Sequence, residues 1–280
     1  MAAKNLSEIR QIVRQLLKDE FDPDVTGDWE NDELDMHAQV CVDEISGKSP
    51  VKAWEPVIVT ANSKLLDISG IENLIKADRV EYEPGGDPRN FHNIIEIDNE
   101  TVEMGVSGAP SESGTSGTLT GTVTFAAGSA AVSGSGTAFS SELEAGDYIK
   151  PSTKGRWYRI YSVDSDTALT LDEPVKSGDA GADTVSVTQY RSGCAVIYYD
   201  KAHELTETKS TLRLNEENAV ILGVCGQAAV SRAKYLINRV NDGGANAAGQ
   251  MQNWGVIKLQ MYRDALRGLK RVQTKQSYAE

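Results

Sequence analysis

The stretch DPDVTGDWENDE, residues 22 to 33, sets oxygen-bearing side chains at alternate positions: Asp22, Asp24, Thr26, Asp28 and Glu30, with Gly27 sixth and Glu33 twelfth. That spacing can wrap a single loop around a hard cation, so the chemistry on offer is calcium binding by Asp22, Asp24, Thr26, Asp28 and Glu33. Three features oppose it. Pro23 stiffens the second position, Trp29 stands where such loops carry an aliphatic residue, and no second loop pairs with this one. The plainer reading is preferred: an acidic interhelical loop in which Asp28 or Asn31 caps the next helix, with no metal or other cofactor.

Other chemistry-bearing types are sparse. The histidines are His37, His92 and His203, and they fall in no His-Glu-x-x-His pattern. There is no Gly-x-Ser-x-Gly, no phosphate-cradling glycine loop followed by Lys-Ser or Lys-Thr, and no paired cysteines for zinc. His37 falls on the apolar side of a helix and reads as a core histidine; His203 reads as a side chain that fixes a turn. Cys41, Cys194 and Cys225 are far apart and sit in apolar surroundings, so they read as small core residues without disulfides. Carboxylate pairs for glycoside hydrolysis can be drawn by chance from 41 acids and carry no argument. No enzyme is expected.

The net charge of -13 is spread unevenly. Residues 1 to 106 carry 10 basic and 23 acidic side chains, 107 to 193 carry 6 and 10, and 194 to 280 carry 12 and 8. Between 254 and 275, Lys258, Arg263, Arg267, Lys270, Arg271 and Lys275 face Asp264 alone. One explanation is a solvated helix face that suits the helix dipole. The other is docking onto an acidic partner surface or onto nucleic acid. The acidic front of the chain argues against DNA affinity for the whole protein. With no long apolar run and no apolar signal in MAAKNLSEIRQIVRQ, no membrane association is expected, and the protein should be made in the cytoplasm and stay soluble.

These residues need elements to position them. Leu6, Ile9, Ile12, Val13, Leu16 and Leu17 recur at helical spacing and predict a helix from about 5 to 20. A second is predicted from about 31 to 46, with Gly47 as its stop. From Pro56 the period becomes two, and VIVT, KLLDI, ADRVEYEP and NFHNIIEID read as strands of a small sheet. VSGAPSESGTSGTLTG, 106 to 121, has the composition of a flexible linker. The strand-like segments that follow, separated by Gly, Asp, Ser and Pro, predict an inserted all-β barrel or sandwich of about seventy residues. Phe139 and Leu143 should anchor it. CAVIYYDKAHEL reads as the closing strand of the first sheet. Helices are then predicted from about 216 to 240, with small residues that let a neighbour approach, and from about 248 to 273, with Trp254, Ile257, Met261, Leu269 and Val272 along one side and the basic residues on the other. The fold expected is α+β: a helical bundle with a small antiparallel sheet formed by 1-106 and 194-280, plus the inserted module at 107-193.

This order, with Trp29 between the first two helices and Tyr199, His203 and Leu205 in a Tyr-x-x-x-His-x-Leu step before a Thr-Leu-x-hydrophobic step and an alanine-rich helix, resembles the head-to-tail adaptor (connector) proteins of tailed bacteriophages. SGSGT-x-F-x-x-x-L-x-x-GD-x-I, from 133 to 149, with DSDTALTL is similar to a small β module that recurs in phage virion proteins. The resemblance implies a ring, typically of about twelve copies, beneath the portal protein at the head-to-tail junction of the virion, with a tail or neck protein below. DNA would pass through without sequence-specific binding. Channel-lining acids would then come from Asp22, Asp24, Asp28, Glu30 and Asp32, and portal contacts from Lys258, Arg263, Arg267, Lys270, Arg271 and Lys275. The alternative is a tail or fibre component whose module binds carbohydrate or host through exposed Trp157 and Tyr158.

Overall fold

A computed structural model of the chain describes residues 3–19, 29–86, 88–151, 156–183, 188–190, 193–237 and 246–269. In chain order it begins with helices α1 (Leu6–Leu17) and α2 (Asn31–Lys48). Strands β1 (Val51–Ile58), β2 (Leu65–Asp67), β3 (Leu74–Tyr82), β4 (Phe91–His92), β5 (Ile94–Glu96) and β6 (Thr101–Met104) follow. Next come β7 (Ser116–Thr118), β8 (Thr122–Phe125), β9 (Ala131–Ser135), the short helix α3 (Phe139–Glu142), β10 (Tyr148–Lys150), β11 (Tyr158–Ser165) and β12 (Ala168–Leu171). The chain continues through β13 (Gly181–Asp183), β14 (Thr188–Tyr190), β15 (Cys194–Lys201), α4 (Leu214–Ile237) and α5 (Ala247–Gly268). The fold is α+β with antiparallel sheets. It divides into two compact units, one of residues 1–51 with 201–280 and one of residues 52–200. Residues 52–106 and 194–200 thus share a unit with 107–193, a partition different from one at 106/107 and 193/194.

The first unit is helical. Asn5 and Glu8 cap α1 reciprocally, each side chain accepting the other's backbone N–H, and Lys18 ends the helix in the left-handed region. Gly47 does not stop α2, which continues to Lys48. Pro50 stops it, because proline lacks an N–H and crowds the residue before it. Nor does Asn31 cap α2: the N-cap is Glu30, without a side-chain cap bond, and the Asn31 Oδ1 accepts from the Arg14 guanidinium at 2.8 Å. Asp28, the other candidate cap, lies outside the described residues. Ile9, Val13, Trp29, Leu34, Cys41, Val42, Ile45, Val224, Cys225 and Tyr262 share one core.

Small residues set the approach of α4 to its neighbours. A Cβ on Gly226 would stand 2.7 Å from Leu259 Cγ, and one on Gly223 would stand 2.4 Å from Cys41 Sγ. This close packing fixes the rotation of α5 differently from expectation. Ile257 and Met261 are exposed, at 59% and 47%, whereas Ala248, Gly255 and Tyr262 are buried. Tyr262 is held by its hydroxyl, which donates to Glu44 at 2.8 Å. Of the residues that apolar spacing sets along one side, Trp254 and Leu269 do pack against the core, Ile257 and Met261 do not, and Val272 lies outside the described residues.

In the second unit, β1-β15-β3-β4 form one sheet, β2-β6-β5 a second, and β13-β8-β9-β12-β11-β10-β14-β7 a third, in which each registered pair is antiparallel. Pro56 is tolerated because β1 is an edge strand. β15 is interior to its sheet and covered on both faces. Ala195, Ile197 and Tyr199 join one core with Val57, Val80 and Val102, while Val196 joins Tyr148 and Trp157. In the large sheet Phe139 and Leu143 are buried as expected, beside Phe125, Tyr158 and Ile160. The stretch 106 to 121 is not a loose linker. It contains β7, it buries Leu119, and Gly114 donates its N–H to Val59 O at 2.9 Å. Its glycines serve close backbone approach: a Cβ on Gly114 would lie 2.4 Å from Gly193 O.

Candidate functional site

The acidic candidates divide. Asp22, Asp24, Thr26 and Asp28 lie outside the described residues, and Glu30 and Asp32 are exposed at the start of α2. Asp35 is engaged by Arg10, whose Nε and Nη2 donate to its two oxygens at 2.9 and 2.8 Å. Arg10 also pairs with Glu207 at 2.6 Å, and the Asp35 hydrogen bond leads the effects that raise its pKa. Glu33 sits 3.8 Å from the His37 ring, and the two are i,i+4 neighbours. Burial outweighs that carboxylate and lowers the pKa of His37. Among the described residues no group of three or more His, Cys, Asp or Glu could hold a metal.

On α5, Arg263 and Arg267 are exposed and Lys258 is partly so, its ammonium 5.3 Å from the Trp254 ring centroid. Arg267 is paired with Asp264 at 3.0 Å. Lys270, Arg271 and Lys275 lie outside the described residues. All three cysteines are free and buried, and burial pushes Cys41 and Cys194 up to about 12 and Cys225 up to about 11. Such thiols are not nucleophiles at neutral pH. Trp157 and Tyr158, expected exposed in the carbohydrate-binding alternative, are 4% and 0% exposed. The Trp157 indole donates to Glu55 at 3.0 Å and the Tyr158 hydroxyl to Asp179 at 2.6 Å.

His203 fixes a turn, as read from the sequence. Its Nε2 lies 2.7 Å from Ser49 O, its Nδ1 3.1 Å from Thr211 Oγ1, and its backbone N–H donates to Ser46 Oγ. Glu216, equally buried, stands 3.7 Å away and accepts from Ser49 Oγ and Arg213 N. The end of α2 and the start of α4 are thus joined through one imidazole and one carboxylate.

What the sequence reading missed is a cavity of about 280 Å³ within the second unit. Trp54 from β1, Tyr198 from β15 and Tyr148 from β10 give it aromatic walls. Glu81, only 3% exposed, accepts from the Tyr198 hydroxyl at 2.7 Å and from Gly85 N. Arg89 in turn donates to the Tyr198 oxygen at 2.9 Å. Burial, then the bond to Glu81, pushes Tyr198 up to about 12, so it stays protonated and keeps this relay in one direction. Arg159 donates to Asp172 at 2.9 Å and crosses close to Gly85, where a Cβ would lie 2.0 Å from its Nη2. Gly85 has φ +94 and is the residue type that both the turn and the guanidinium allow. Tyr148 is 5% exposed, lines the cavity, and its hydroxyl has no hydrogen-bond partner among the described residues.

Compared with known proteins, the chain matches no family model and no curated sequence.

Proposed function

We propose that this chain is a structural virion protein, a head-to-tail connector that forms a ring beneath the portal of a tailed bacteriophage and offers an attachment surface to the tail or neck. In this reading the four helices of the first unit are the ring-forming bundle, and the large sheet is the inserted barrel-like module. The observation that carries it is apolar surface left uncovered on two helices of one unit. Met36 and Val40, one turn apart on α2, are 59% and 43% exposed; Val256, Ile257 and Met261 on α5 are 53%, 59% and 47% exposed. A ring needs one face of a copy to pack on a different face of the next, and two separate apolar helix faces supply that pair. The cations Lys258, Arg263 and Arg267 then dock on the portal, and exposed Glu30 and Asp32 repel passing DNA phosphates. The fibre alternative loses its support with the burial of Trp157 and Tyr158.

Mass photometry of the protein alone and mixed with purified portal protein tests this. A monomer that becomes a ring-sized complex only on the portal is the expected result. A free trimer, or no association with portal, overturns it. Reversing Lys258, Arg263 and Arg267 to glutamate should weaken portal binding at least about tenfold.

A further inference from the structure

The connector reading leaves the cavity of the second unit without a role, yet its lining is built for a ligand. We propose that it binds one neutral sugar ring. Size is the first argument: about 280 Å³ lies just under the roughly 300 Å³ at which pockets begin to accept drug-sized molecules, so a single ring fits and a long chain does not. Lining chemistry is the second. Trp54, Tyr148 and Tyr198 present aromatic surface for the C–H face of a sugar. Around them stand donors and acceptors of both charge signs, Arg89 and Arg159 against Glu81, Asp172 and Glu173. Hydroxyl groups donate and accept, so they use both kinds; a phosphate would meet three carboxylates, and a quaternary ammonium would meet two guanidiniums.

Tyr148 is the third argument. The Tyr148 side chain lines the cavity, and no hydrogen bond joins its hydroxyl to another described residue. A ligand hydroxyl would complete it. The proposal stands apart from the connector reading, since a protein that binds sugar and forms no ring would leave it intact.

The test is titration of the full chain with glucose, galactose and N-acetylglucosamine and with their short oligomers, followed by Trp fluorescence and saturation-transfer NMR. Saturable binding of at least one is expected, and a gain for oligomers over monosaccharides would assign the source to a glycan rather than a free sugar. Tyr148→Phe should weaken binding about fivefold, the worth of one neutral hydrogen bond, without lowering the melting temperature. Arg89→Ala, at a side chain 62% exposed, is the second variant and should weaken it similarly with the fold intact. Absence of saturable binding to every sugar, binding unchanged in both variants, or tighter binding of inorganic phosphate or tetramethylammonium than of any sugar overturns the proposal.

Discussion

At the residue scale, His203 shows how one side chain can hold two distant stretches of chain together. Its Nε2 is a donor to Ser49 O at 2.7 Å, and Ser49 in turn gives its hydroxyl to Glu216. Removing the imidazole strands the Ser49 carbonyl and leaves Glu216 beside a void, in a region where both side chains are 2% exposed. Buried polar groups without partners cost more than the bonds they formerly made contributed. His203→Ala should therefore lower unfolding stability by about 2–3 kcal/mol, read as a shift in urea midpoint at constant slope. An unchanged midpoint would mean that water replaces the ring at no cost. His203 was legible from local sequence, because it lies at the end of the alternating segment CAVIYYDKAHEL, ahead of a predicted helix. Tyr148, Glu81 and Tyr198 were not, because Glu81 and Tyr198 meet through neighbouring strands of one sheet, more than a hundred residues apart in the chain, and Tyr148 joins them from another sheet; no local spacing encodes that.

At the element scale, two helical glycines contrast. Gly47 in α2 has open space where a Cβ would go, and Gly226 in α4 has Leu259, including its backbone nitrogen 2.9 Å away. Gly47→Ala should stabilise by up to about 1 kcal/mol through helix propensity alone. Gly226→Ala gains the same propensity but forces α5 outward, and overpacking of about 1–3 kcal/mol wins. Thermal melts of the two variants should move in opposite directions; a shared direction would show that α4 and α5 are not in rigid contact. The same packing explains what periodicity could and could not reveal. The strands of the second unit were legible from alternation and turn residues. The rotation of α5 was legible only in part: Trp254 and Leu269 lie against the core as their spacing suggests, but the most buried positions are Ala248, Gly255 and Tyr262, while Ile257 and Met261 face out. Small residues weigh little in an apolar pattern yet decide how near two helices come. The stretch 106 to 121 misled in the same way, its glycines serving contact rather than slack.

At the scale of the whole molecule, the charge follows the compact units more closely than the chain order. Residues 1–51 and 201–280 carry 17 basic and 19 acidic side chains, residues 52–200 carry 11 and 22, so nearly all the net negative charge belongs to the β unit. In chain order that unit, residues 52–200, falls between the two segments of the helical one. β1 and β15 are neighbours in one sheet, Val59 N–H donates to Gly193 O at 3.1 Å, and Lys52 pairs with Asp200 at 2.6 Å. The start of β1 therefore lies beside the end of β15, and the two strands run in opposite directions. Paired strands lie roughly 5 Å apart, a gap that two or three residues of Gly and Ser can close. Domains inserted through adjacent ends are commonly separable. Replacing residues 53–199 with such a linker should leave a helical protein that melts cooperatively, and residues 52–200 alone should fold as β structure with buried tryptophan emission. Circular dichroism and thermal melting of both pieces check this. A helical piece with no cooperative transition would show that its core, from Ile9 to Tyr262, depends on the β unit for its stability.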